Sequence, residues 1–394
     1  MNRNVFWVLL AQFLTAFADN AILFTAITMV MHMAEPAGWY VPALQASFLV
    51  AFVVLAPWVG PYADGRAKAR VLTTANVVKA AGAGLMLLQV EPILSYAVVG
   101  LGAAMYSPAK YGILPELVSE DELVKANGWV EGSTILAILL GMLIGALLSE
   151  YSISLALGLV IVLYVLSGLT ALLVARVEPQ PARREPALPH FINLTRRLLS
   201  TPRARFATLG VSLFWGSSVV LRVLIVAWAP AVLMLTQTSE IAELTMFLAL
   251  GIALGALIVP KLIPLAYLRR ARMAAYAMGA VIVLLAVVND LWVARAVLFI
   301  AGVAGGLFVV PINAALQEIG HKSVGSGGAV AVQNFFENLA MLVCSGLYSM
   351  AAGLGAQPVI TMMVLGVVVM FATVLVSWHL PPDTGKVDDL VPKQ

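Results

Sequence analysis

The chain has 394 residues, 61% of them hydrophobic and only 11% charged, with a mean hydropathy of +0.97. Soluble domains carry about a quarter charged residues, so a soluble globular protein is excluded. Twelve spanning helices of about 22 residues would use roughly 264 positions and leave about ten residues per connection, too few for a soluble domain. The net charge of +3 and an isoelectric point near 9.0 would raise nucleic acid or anionic surfaces as partners. The placement of the bases accounts for them better, and no nucleic acid partner is expected. One cysteine, Cys344, excludes an intramolecular disulfide, and four scattered histidines give no metal-ligand spacing. No metal or cofactor is expected.

The first apolar window covers residues 5–31. Arg3, the apolar run to Leu14 and Ala16-Phe17-Ala18 imitate a cleavable secretory signal. Apolar character resumes after Asp19-Asn20, however, and an uncleaved first helix is the expectation. Further windows follow near 41–62, 71–90, 93–114, 127–149 and 153–175, and then at 206–235, 245–266, 273–289, 292–312, 327–353 and 357–379. In lipid every backbone polar group must be bonded internally, so windows this long and dense mean helices. The predicted fold is an all-α polytopic membrane protein with twelve transmembrane helices in two six-helix bundles, residues 1–175 and 206–380. Between them lies a cytoplasmic linker, 176–205, with five prolines and seven arginines, and a tail at 381–394 closes the chain. The linker, with a short amphipathic stretch at 191–199, reads first as a solvated positive-inside connection; its basic charge could also bind anionic headgroups.

Orientation follows from Lys and Arg. With an even helix number both termini share a side, and that side receives 19 of the 23 bases. Arg295 alone falls opposite, while Lys79, Lys110 and Arg222 fall inside helices. Both termini are therefore expected in the cytoplasm. The halves look like a parallel repeat, which would put a substrate site at their interface. The fourth and tenth helices are expected to end near Pro108 and Pro311. The fifth and eleventh carry Asn127 and Glu131, and Asn334, Glu337 and Asn338.

Ionisable residues at membrane depth are costly and usually serve a function. Asp19 lies roughly 21 Å and Arg222 roughly 24 Å along their helices from the cytoplasmic entry. With Lys79, Lys110, Glu131 and Glu337 they make three acids and three bases. Balanced pairs are expected, Asp19 with Arg222 first, because helices one and seven are equivalent. Each residue also has a bland reading: the lysines can snorkel, and the glutamates can hold helices together. Two adjacent polar residues such as Asp19 and Asn20 serve packing poorly. A balanced cavity suits a zwitterionic or amphipathic ligand, with Arg or Lys for a phosphate and Asp or Glu for an ammonium. No P-loop, nucleophile elbow or His-Glu-x-x-His string appears, so catalysis is not expected.

Gly60-x-x-x-Asp64 followed by Arg66, Lys68 and Arg70 resembles the loop signature of the major facilitator superfamily, with Gly65 and Ala67 as departures. That resemblance implies a cytoplasmic gate in which Asp64 latches against the start of the eleventh helix at Gly325-Ser326-Gly327-Gly328, helped by Arg66 and Arg70. More specific strings are Ala11-Gln12-Phe13-Leu14, Phe17-Ala18-Asp19-Asn20-Ala21, Ser107-Pro108-Ala109-Lys110-Tyr111-Gly112 and Lys125-Ala126-Asn127-Gly128. Together with Glu131-Gly132-Ser133-Thr134-Ile135 and Trp228-Ala229-Pro230, they resemble the bacterial lysophospholipid transporter family.

The resemblance implies a multi-pass flippase of the bacterial inner membrane. It would move lysophosphatidylethanolamine and lysophosphatidylglycerol from the outer to the cytoplasmic leaflet by alternating access. A separate acyltransferase would re-acylate them, and a monomer would suffice. Asp19, Lys110 and Arg222 carry over as headgroup or gate residues, with Asn20, Asn127 and Glu131 beside them. Two other classes stay open. A proton-coupled exporter of amphipathic drugs would depend on a membrane acid and on the pH gradient. A non-transporting scaffold would tolerate neutralised membrane charges.

Overall fold

The computed structural model describes residues 3–33, 37–118, 120–174, 186–263, 265–323 and 326–378. Among them are thirteen α-helices and no strand: α1 (Arg3–Met31), α2 (Tyr40–Asp64), α3 (Lys68–Leu87), α4 (Pro92–Leu117), α5 (Glu120–Tyr151), α6 (Ile153–Leu172), α7 (Ala187–Leu198), α8 (Pro202–Leu233), α9 (Thr238–Leu262), α10 (Ala271–Leu284), α11 (Leu291–Ser323), α12 (Ser326–Gly353) and α13 (Pro358–Ser377). Short 3-10 turns flank α10. Ten of these helices carry segments long and apolar enough to cross a bilayer. The expected twelve also counts α3 and α4, at 20 and 26 residues, which fall outside that set. In α3 the cause is visible: Lys68, Arg70 and Lys79 interrupt the apolar run.

Local chemistry sets several boundaries. Pro92 and Pro202 open α4 and α8, where a missing N–H costs nothing. Glu91, Ser152 and Thr201 accept hydrogen bonds from the backbone amides of Leu94, Leu155 and Ala204. Two expected ends are corrected. The fourth helix runs through Pro108 to Leu117, and α11 runs through Pro311 to Ser323. Helices in membranes tolerate proline because neighbouring groups and local adjustments satisfy the freed carbonyls, so proline is a poor stop signal here.

Backbone contacts divide the chain into two compact units, the first formed mainly by α1–α6 and the second mainly by α8–α13. Inside the first, α1 packs on α5 and α6, and α3 packs on α4 and α6. Inside the second, α8 packs on α12 and α13, and α10 packs on α11 and α13. These are the same four pairings displaced by half the chain, as a parallel repeat requires. Glycines bring backbones into touch at further points. Gly141 and Gly145 of α5 lie against Phe17 and Ala21 of α1, so a side chain at either would strike the α1 backbone. In the second unit Gly251 and Gly255 of α9 meet Gly302 and Gly306 of α11 in the same manner. Small residues at such crossings let van der Waals packing hold helices together where lipid supplies no hydrophobic drive.

Candidate functional site

The glycine contacts fix the depth of α1 on both sides of Asp19, whose carboxylate turns toward α3 and α6. Lys79 Nζ donates to Asp19 Oδ2 at 2.8 Å, and the Tyr164 hydroxyl donates to Oδ1, also at 2.8 Å. The ammonium donates again to Thr15 Oγ1 at 3.0 Å and stands over the Tyr106 ring, 4.8 Å from its centroid. From Thr15 the network continues: its hydroxyl donates to Asn76 Oδ1 at 2.8 Å, and Asn76 Nδ2 donates to Ser167 Oγ at 3.0 Å. Ser167 closes the chain on the Ala11 carbonyl at 2.7 Å. Helices α1, α3 and α6 are thereby joined by one polar strand through an apolar unit.

The two partners differ in access: the Lys79 side chain is 1% exposed and that of Asp19 is 25%. An ammonium that deep needs a counter-charge and further acceptors, because an unpaired buried charge costs several kcal/mol; carboxylate, hydroxyl and aromatic face supply them. The carboxylate has about four lone-pair sites and spends two of them on Lys79 and Tyr164. It keeps further acceptor capacity, and a quarter of the side chain is open. Lys79, for which snorkelling was an open reading, is thus fully inside the network. The cation placed against Asp19 is Lys79 of the same unit, where helix equivalence had pointed to Arg222.

The other candidates separate in kind. Asn20 turns back on its own helix, its Nδ2 donating to the Ala16 carbonyl at 2.8 Å. Lys110 of α4 is buried, and Arg222 of α8 is partly buried. In the second unit Glu337 of α12 is buried and accepts from Gln333 Nε2 at 2.6 Å; the same nitrogen reaches Asn313 Oδ1 of α11 at 2.8 Å. Arg66 lies exposed over the Tyr62 ring, 4.1 Å from its centroid, and Arg70 is exposed. The side chains of Asp64, Asn127 and Glu131 lie outside the described residues, as does the 381–394 tail. Among the described residues no group of three His, Cys, Asp or Glu could hold a metal.

Sequence reasoning missed Thr15, Asn76, Tyr106, Tyr164, Ser167 and Asn313. A faint signal existed for the first two. Gln12, Thr15 and Asp19 recur at three and four residues along α1, and Asn76 precedes Lys79 by three, so each set lies on one helix face. Gln12 shares in it, its Nε2 donating to Thr134 Oγ1 of α5 at 3.0 Å.

The profile of the Major Facilitator Superfamily matches residues 8–345. Curated relatives include the lysophospholipid transporter LplT of Klebsiella pneumoniae, 42% identical over 362 residues and covering 91% of both chains. That of Yersinia pestis is 41% identical over 363 residues, covering 91% of this chain and 89% of its own. Solved structures with the same fold include the POT family transporter PepTSo, with TM-score 0.74 at 12% identity, covering 96% of this chain and 98% of that one. Another is the nucleoside transporter NupG, with TM-score 0.73 at 14% identity, covering 95% and 98%. At such identities they speak for the fold alone. The full-length relatives and the profile decide the family: the chain belongs to the lysophospholipid transporters of the major facilitator superfamily.

Proposed function

We propose that the protein carries lysophospholipids across the bacterial inner membrane, from the outer to the cytoplasmic leaflet, by alternating access. The observation that carries this reading is the identity above 40% to lysophospholipid transporters along nine-tenths of the chain. The chemistry of the first unit agrees with it. The half-satisfied, accessible carboxylate of Asp19 can take the ammonium of an ethanolamine headgroup while Lys79 stays in place behind it. Arg222, a base within the spanning helix α8, is the second residue to test, since a guanidinium fork can bind a phosphate in bidentate fashion. Headgroup passage and an acyl chain kept in apolar surroundings complete the cycle, and a separate acyltransferase consumes the product.

Uptake of labelled lysophosphatidylethanolamine by spheroplasts lacking other lysolipid import tests this, with wild type, Asp19→Asn and Arg222→Ala compared at matched surface expression. Uptake lost in both variants, and retained by wild type under a collapsed proton gradient, is the expected result. A well-expressed wild type without uptake overturns the proposal. One feature favours a second reading: Glu337, a buried membrane carboxylate held by the Gln333 amide, is what a proton-coupled exporter of amphipathic drugs requires. Drug export that disappears with the gradient and with Glu337→Gln would install that reading instead.

A further inference from the structure

The linker contributes a helix that the transport reading leaves unused. Helix α7 occupies 187–198, close to the amphipathic stretch read at 191–199, and two of its side chains point inward. Phe191 and Leu198 are buried, and Phe191 meets the Phe335 ring of α12 edge-on at 5.3 Å between centroids. The helix is also fixed to the start of α8. Arg205 donates from Nε to the Leu199 carbonyl at 2.8 Å and from Nη2 to the Ser200 carbonyl at 3.2 Å. Only residues 199–201 separate α7 from Pro202, where an apolar spanning segment begins. Chain continuity therefore holds α7 at the level where that span meets the membrane surface.

Its outward face has a mixed character. Leu188 and Ile192 are 47% and 41% exposed, and Arg196 follows one more turn along the same line, with Arg197 beside it. Two arginines in a last turn complement the helix dipole, but that role gives no reason for two large aliphatic side chains to stand open beside them. An apolar strip flanked by arginines at the end of a span is the pattern of a helix lying in the interface plane. Arg203 and Arg205 add to the local positive charge on the side of the chain that carries 19 bases. We infer that α7 is a docking site for anionic phospholipid of the leaflet on that side: Leu188 and Ile192 enter the acyl boundary while Arg196 and Arg197 hold phosphate headgroups. Phe335 belongs to α12, the helix that also carries Glu337.

The test uses the full chain in a Cys344→Ser background, with Ile192→Cys carrying a fluorescent label and Leu188→Cys as a second reporter on the same face. The protein is reconstituted in phosphatidylcholine vesicles containing a minority of brominated phosphatidylglycerol or brominated phosphatidylcholine. Each base near an anionic surface shifts the local lipid ratio by about fivefold at low salt. Quenching should therefore favour brominated phosphatidylglycerol several-fold, and by up to about thirtyfold. The preference should vanish in Arg196→Gln/Arg197→Gln, survive in Arg196→Lys/Arg197→Lys and weaken in high salt. Equal quenching by the two brominated lipids in wild type overturns the headgroup site. Quenching by aqueous iodide instead means a solvated linker, and protection from both quenchers means a protein cover; either result overturns docking on lipid. Transport is not part of the readout, so this result stands apart from the uptake assay.

Discussion

The two units repeat one packing scheme around two different polar cores. In the first, an ion pair joins α1 and α3, its lysine buried and its aspartate part-exposed, braced by Tyr164, Thr15, Asn76 and Ser167. In the second, the polar contact lies between α11 and α12, the counterparts of α4 and α5, where the Glu337 carboxylate accepts from the Gln333 amide, which also reaches Asn313. A shared scaffold therefore does not dictate shared chemistry. Helix pairings follow from small residues and apolar surface, which the repeat preserves. The polar groups sit on the same framework but answer to whatever each half must bind or hold.

The difference is open to direct attack. The largest effects belong to the first unit. Asp19→Asn strands the buried Lys79 ammonium and should cost about 3 kcal/mol in unfolding of the purified protein; Lys79→Met leaves the part-exposed Asp19 and should cost less, both with uptake at background. The double variant should recover much of that stability and none of the uptake, since the partners couple. Wild-type uptake by Lys79→Met would remove the pair from the mechanism. Next comes Tyr164→Phe, which deletes one charge-assisted bond to Asp19 and should cost about 2 kcal/mol, with uptake lowered but measurable. In the second unit, Glu337→Gln keeps an acceptor for Gln333 and should change stability by less than about 1 kcal/mol. A loss as large as that of Asp19→Asn would mean the second core is ionic too. Smallest is Asn20→Ala, which removes only a bond within α1 and should stay within about 0.5 kcal/mol. Thermal melts of that variant beside Asp19→Asn would separate two neighbours that look alike in the sequence.

Much of the fold was legible because it is written in composition. Apolar windows separated by turns and bases give helices and their order without any knowledge of contacts. The repeat was visible only as faint spacing, and the matching helix pairings make it plain. Pro108 and Pro311 misled because the rule that proline ends helices comes from water, where freed carbonyls find solvent. The Asp19–Lys79 ion pair was legible in its members but not in its pairing. Asp19 and Lys79 each stand out as membrane charges, but which cation meets which acid depends on rotation about helix axes, and no single sequence fixes that. Thr15 and Ser167 were hidden for another reason. Hydroxyls in membrane helices commonly bond their own backbone, as Thr25 and Thr170 do, so a lone Ser or Thr carries no signal until its neighbours are known.

The Asp19–Lys79 pair has an electrical consequence. Moving one elementary charge through the membrane field is worth about 2.3 kcal/mol per 100 mV. Both members of the pair sit within one unit, bonded to each other at 2.8 Å, so a displacement of that unit carries a cation and an anion together. The work done by the field on one cancels the work done on the other. Whatever motion exposes this site to either face, the membrane voltage has no handle on it here, and a zwitterionic headgroup resting on Asp19 would travel equally unseen by the potential.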